Sequence, residues 1–179
     1  MNVLLIHGGS LSMGPVPYSL LSIAAVLKQK GIHVDLANFD GHRITFNRFL
    51  RETSSLQPDV IGFSAYTMPM LERTCILTQY ARKTFPAAKI VWGGVHASIF
   101  PSEILTEMPV DYVVINEGDI TVIELIQSLH RNCADIHTVP GIAYRGNHDI
   151  VLTPPRENIA DLNEVPSPAW DMISFKDYY

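Results

Sequence analysis

Asp40 and His42 stand two residues apart in the stretch "NFDGHRIT", directly after an apolar run. A carboxylate placed this way can fix an imidazole in the tautomer that a metal needs. Whether it does so depends on which strand the pair follows. No two of the seven histidines show the i, i+4 spacing of a zinc-binding helix, and Cys75 and Cys133 form no C-x-x-C. His33, His130, His137 and His148 fall at turns or helix ends, where solvation is the expected state. His7 closes the first apolar run, where packing or hydrogen bonding is expected, and His96 sits in "GGVHAS", where it could shape a pocket. Met13, Met68 and Met70 read as pliable apolar lining and not as a soft-metal site. The two cysteines fall in helix-like segments and read as buried, reduced thiols, which fits a cytoplasmic setting.

The elements that would hold these residues alternate along the chain. "NVLLIHGG" is a short continuous apolar run ending in glycines, the pattern of a strand buried on both faces. "PYSLLSIAAVLKQKG" has helical spacing through Leu20, Leu21, Ala24 and Leu27, with Gly31 as its stop. Strand "HVDLANF" and helix "RITFNRFLRETSSLQP" follow, then strand "DVIGFSAYT" and helix "MPMLERTCILTQYARKTFP". "KIVWGGVHAS" reads as strand four and "PSEILTEMP" as a short helix capped by Ser102. "VDYVVINEGD" and "ITVIELIQSLHRN" complete the series. Five such units predict a Rossmann-like (flavodoxin-like) α/β fold, a doubly wound five-stranded parallel sheet in the order 2-1-3-4-5. "GIAYRGNHDIVLTPP" reads as a β-hairpin about the turn 145–148, and the proline-rich, aromatic remainder as an irregular tail. Residues 1–135 are thus expected to form the Rossmann-like domain, and 136–179 a hairpin and linker.

The 179 residues carry a net charge of −5 with no basic cluster, which argues against nucleic acid as the main partner. No apolar run nears the roughly 20 residues that span a bilayer, so no membrane is expected, and "MNVLLIHGG" lacks the basic start of a signal peptide. In the predicted sheet a ligand lies outside the carboxyl ends of the strands. The loops there are "HGGSLSMGPVP", "SAYTMPM", "GGVHASIF" and "NEGD". Their glycines Gly8, Gly9, Gly93 and Gly94 permit tight turns and close approach to a large flat ligand. They hold no Lys or Arg and no phosphate-cradling glycine motif, while Glu117 and Asp119 add negative charge. A phospho-acceptor receiver is also disfavoured, because Ser64 stands where its aspartate should be and Asn116 where its lysine should be. What remains is the hydroxyls of Ser10, Ser64, Thr67 and Ser98, free backbone amides, and Leu11, Tyr66, Met68 and Ile99. That set suits a large, mostly neutral, amide-rich ligand.

The segment from "PDVIGFSAYT" through "KIVWGGVHASIFPSEILTEMPVDYVVINEGDITVIELI" resembles the N-terminal cobalamin (B12)-binding domain of B12-dependent radical SAM enzymes. The likeness continues through "VPGIAYRGNHDIVLTPPRENIADLNEVPSPAWDMI", similar to the connector toward a radical SAM barrel, and so covers nearly the whole chain. The resemblance implies a cobalamin held across the strand ends, as methylcobalamin in a methyltransferase that relays methyl from S-adenosylmethionine to an unactivated carbon. It implies that the nucleotide tail of the cofactor runs between sheet and helices near Ser64, Ala65 and Tyr66 and near Gly93, Gly94 and His96, with Thr67 also among the cofactor-binding residues. Ser10 and Leu11, with Glu117 and Gly118, would flank the corrin or its tail. The barrel's C-x-x-x-C-x-x-C, which would hold a 4Fe-4S cluster and S-adenosylmethionine, has no match here. The chain is therefore expected to be a non-catalytic cofactor-binding domain partnered by a barrel in cis or in trans. A stand-alone cobalamin carrier or sensor, docking through Trp170, Phe175, Tyr178 and Tyr179, is the alternative, and a flavodoxin-like FMN protein a further one.

Cobalamin-dependent mutases and methionine synthase use D-x-H-x-x-G, whose histidine replaces the benzimidazole below the cobalt. Asp40 and His42 match its start, but Thr45 stands at the glycine position, and the stretch follows strand two instead of strand one. The expectation is a polar turn, with no histidine from this domain on the cobalt.

Overall fold

The structure, a computed structural model, describes residues 1–9, 16–41, 43–68, 70–174, 176 and 178. Its centre is a seven-stranded sheet in the order β2-β1-β3-β4-β5-β6-β7. Strands β1 (Asn2–His7), β2 (His33–Asn38), β3 (Val60–Ser64), β4 (Lys89–Gly93) and β5 (Tyr112–Val114) are parallel, in the predicted 2-1-3-4-5 order. The hairpin β6 (Ile142–Arg145) and β7 (Ile150–Leu152) joins them. β6 lies antiparallel against β5, with Val113 opposite Ala143, so the hairpin extends the sheet to seven strands instead of standing apart from it.

The helices sort by face because side chains alternate along each strand. Val3 and Leu5 of β1, Val60 of β3, Val91 of β4 and Val114 of β5 face α1 (Tyr18–Gln29) and α6 (Thr121–His130). Leu4, Ile6, Ile61, Phe63, Ile90, Trp92 and Val113 face the opposite side, where α2 (Phe46–Thr53), α3 (Met70–Thr84), α4 (Val95–Ile99) and α5 (Pro101–Glu107) pack. This second core holds the buried Phe and Trp side chains. The Phe39 and Phe49 rings stack at 5.8 Å, and Trp92 donates its indole N–H to Thr78 Oγ1 at 2.9 Å. Burying each such phenyl ring contributes about 1.5–3 kcal/mol.

Local chemistry sets the ends. α1 stops at Gly31, which takes φ +73 while Gly31 N–H and Ile32 N–H return to the carbonyls of Lys28 and Leu27, a Schellman closure. Thr45 caps α2 by accepting from Arg48 N–H. Three expectations need correction. "VHASI" is not the end of strand four but the five-residue helix α4, turned by Gly94 at φ +93. Ser102 lies inside α5, which begins at Pro101 after Phe100 with no side-chain cap. Cys133 lies in a turn beyond α6 at φ +61, not in the helix, while Cys75 does sit in α3; both thiols are free and half-buried. No helix among the described residues is long and apolar enough to cross a membrane.

Candidate functional site

On the α1/α6 face the core is incomplete. A cavity of about 310 Å³ opens at the carboxyl ends of the strands and runs down between the sheet and the two helices. Its floor is built from β1, β3, β4 and β5, and its walls from Tyr18, Ser19, Ser22 and Ile23 of α1 and Val122 and Ile126 of α6. From Ser64 at the mouth to Val60 at the depth is four residues of β3, roughly 13 Å at the usual rise per residue. A slot of this form arises because the floor is small where it should be bulky. Gly62 stands mid-strand on the face of Val60 and Ser64, and Gly93 and Gly94 close β4.

The mouth is polar and pre-ordered. Ser19 donates its hydroxyl to Ser64 Oγ at 3.0 Å and meets Tyr66 Oη at 2.9 Å, tying α1 to the end of β3. Ser22 donates to Asp119 Oδ1 at 2.6 Å, tying α1 to the loop after β5. Gly94 lies within van der Waals reach of β3, and an added Cβ there would come 2.9 Å from the Ala65 carbonyl oxygen and 3.0 Å from Ser64 Oγ. Asn116 holds φ +62, a conformation asparagine tolerates better than most residues, and its N–H donates to Ser98 Oγ at 2.8 Å. Around this mouth Tyr18, Met68, Val95, Ile99, Phe100 and Ile120 are exposed, an apolar rim above the sheet.

The residues after 152 cross the mouth's outer side as a strap. Arg156 donates to Thr121 Oγ1 at 2.7 Å and pairs with Glu124 on α6. Ile159 N–H donates to Glu117 Oε2 at 3.0 Å. Further on, Ala169 N–H donates to the Leu21 carbonyl of α1, Asp171 pairs with Lys28, and the Trp170 ring lies 5.9 Å from Tyr18. Tyr178 then accepts from Asn38 on the edge strand β2 at 2.9 Å. One segment therefore clasps both helical walls of the slot.

Of the residues singled out from the sequence, Ser64, Gly93, Gly94, Glu117 and Gly118 line the slot together. Tyr66 reaches the mouth through Ser19, and Thr67 is exposed beside it. Ala65 is fully buried toward the opposite core, with its carbonyl accepting from His96 N–H. His96 is half-buried on α4, its ring 5.1 Å from Phe100. Ser10, Leu11, Met13 and His42 lie outside the described residues. Asp40 is placed in the loop after β2, so close to Gly9 that a Cβ there would sit 2.4 Å from Asp40 Oδ1. His7 is buried at the end of β1. Among the described residues no three His, Cys, Asp or Glu side chains gather as a metal site. Ser19, Ser22 and Gly62 were not singled out in the sequence; a glycine inside a strand that otherwise reads "VIGFS" was the available signal for the last.

The sequence model of the B12 binding domain matches residues 9–126. Relatives include the anaerobic magnesium-protoporphyrin IX monomethyl ester cyclase of Synechocystis sp., 34% identical over 90% of this chain and 32% of its own length. The cobalamin-dependent radical SAM methyltransferase TokK of Streptomyces tokunonensis is 26% identical over 63% of this chain and 17% of its own. Among solved structures, that of the radical S-adenosylmethionine methyltransferase TsrM from Kitasatospora setae with cobalamin and a 4Fe-4S cluster bound superposes with a TM-score of 0.77. That match has 18% identity and covers 93% of this chain and 31% of TsrM. The chain thus spans about a third of the cyclase and of TsrM.

Proposed function

Since the chain belongs to the B12-binding domain family, we propose that it holds cobalamin with the corrin over the apolar rim and the nucleotide tail in the slot, as one domain of a radical SAM enzyme. The slot itself carries this reading. It is too small for a corrin yet deep, floored by glycine and apolar below its mouth, the form a tail requires and a flavin phosphate does not. Glu117 and Asp119 at the mouth oppose a phosphate monoester, which disfavours the FMN alternative.

In this reading Ser64, Gly93, Gly94, Glu117 and Gly118 line the tail's path. Tyr66 and His96, expected along the tail, stand with Thr67 at or outside the mouth and border the corrin in this proposal, with Ala65 contributing through its backbone. Bound cobalamin supplies a cobalt centre able to carry a methyl group, and a methyltransferase using methylcobalamin is the activity proposed for the parent. The 4Fe-4S cluster and S-adenosylmethionine belong to a barrel partner, in cis or in trans, with residues 136–179 as hairpin and linker. The slot's residues orient the cofactor and exclude water from its tail. No histidine of this domain serves as cobalt ligand in this proposal: Asp40, the described member of the D-x-H pair, follows edge strand β2, to one side of the slot.

Anaerobic reconstitution with hydroxocobalamin, followed by gel filtration and visible absorbance, tests the reading. Retained cobalamin with an altered spectrum is expected; no uptake would overturn it.

A further inference from the structure

Polarity in the slot is confined to its mouth. Ser19, Ser64, Asn116, Glu117 and Asp119 ring the opening, and Ser22 is turned to Asp119. Below them the floor is Leu5, Gly62 and Val91 in one row, then Val3 and Val60 in the next. Ile23, Val122 and Ile126 close the sides. The depth offers no side-chain donor or acceptor, and the strand backbone there is committed to the sheet.

Gly62 is the odd residue in this floor. It pairs with Leu5 on one side and Val91 on the other, at the centre of the parallel sheet, where β-branched residues pack best. Glycine inside a strand is costly and marks places where something approaches the backbone closely. Its φ lies outside the left-handed region, so conformation does not require it. An added Cβ would point at Leu5 Cδ2, 2.8 Å away, the far end of a flexible side chain. What a side chain there would occupy is the slot.

Resting on the reading that the cobalamin tail enters here, we propose that the slot selects among cobamides by the tail's terminal base. It takes an apolar benzimidazole-type base and rejects a purine, and Gly62 sets the depth at which that base is held. Adenine carries an exocyclic amino group and two further ring nitrogens that benzimidazole lacks. In this depth they would lose water without gaining partners, and one such group reduces affinity about tenfold or more. The methyl groups of a dimethylated benzimidazole gain apolar contact with Val3, Val60 and Ile126.

Absorbance titrations with hydroxocobalamin, the adenine-bearing cobamide and cobinamide, which lacks the nucleotide tail, test this. The expected result is at least about tenfold tighter binding of the cobalamin than of the adenine cobamide. Gly62→Val should weaken cobalamin by a similar factor and leave cobinamide within about threefold, with circular dichroism and thermal melting showing a folded protein. Ile126→Phe, filling the slot from the helix side, should repeat the pattern if Gly62→Val does not fold. Equal affinity for the two bases, or equal losses for cobalamin and cobinamide in a folded variant, would overturn the proposal. If the wild type binds none of the three, the cobalamin reading itself fails.

Discussion

A methyl group at Gly94 would meet the Ala65 carbonyl oxygen at 2.9 Å on a backbone already at φ +93. Gly94→Ala should therefore lower stability by about 1–3 kcal/mol, read from the urea midpoint, and impair cobalamin retention. At Gly93 the nearest atom to an added Cβ is 3.8 Å away, so Gly93→Ala should leave the urea midpoint nearly unchanged. Tyr112 provides a pH dependence. Burial, with a hydrogen bond to Cys133 Sγ at 3.5 Å, pushes its phenol well above the usual tyrosine range. An unfolded tyrosine ionises near about pH 10. Below that the fold keeps its full stability from this group; above it the unfolded chain gains by ionising and stability falls. Thermal melts should decline less steeply above that pH in Tyr112→Phe than in wild type. His42→Ala should leave the cobalamin spectrum unchanged; a clear shift would make that histidine a ligand. At this scale the sequence was informative where glycine or serine followed a strand, as at Ser64, Gly93, Gly94 and Gly118. Ser19 and Ser22 were silent, because a serine within a helix has no signature until the helix is rotated onto the sheet.

Among elements, the strap matters most for the slot. Arg156 holds α6 through Thr121 and Glu124, while residues 169–171 hold α1. Arg156→Ala leaves the Thr121 hydroxyl and Glu124 without this partner and should cost about 0.5–1.5 kcal/mol in urea unfolding. It should also weaken cobalamin severalfold in an absorbance titration, since the walls of the slot lose one clasp. The five β-α units and their 2-1-3-4-5 order were legible because buried strands and helical spacing alternate at regular intervals. α4 was not: Val95, Ala97 and Ile99 alternate as strand residues do, and only Gly94's left-handed backbone turns them into a helix. The strap's path was also hidden, because it depends on contacts between residues over a hundred positions apart, such as Asn38 with Tyr178.

For the whole molecule, two cores of unequal completeness share one sheet. The α2/α3 side buries Trp92, Phe39 and Phe49 almost completely, and the α1/α6 side keeps a cavity between its helices and the sheet. In the proposed reading, binding falls to the α1/α6 face. Core substitutions on the first side should change melting more than affinity, and substitutions that fill the slot, such as Ile126→Phe, the reverse. That β6 docks antiparallel on β5 could not be read from the hairpin pattern, which gives the hairpin but not its neighbour. This docking has a consequence for association between molecules. β5 is only three residues long, and β6 occupies the hydrogen-bonding row that would otherwise face outward. A chain ended at residue 135 would present Tyr112, Val113 and Val114 as an open, apolar strand edge, a template for pairing with its own copies. Light scattering should show such a chain self-associating with rising concentration more strongly than the chain bearing the hairpin.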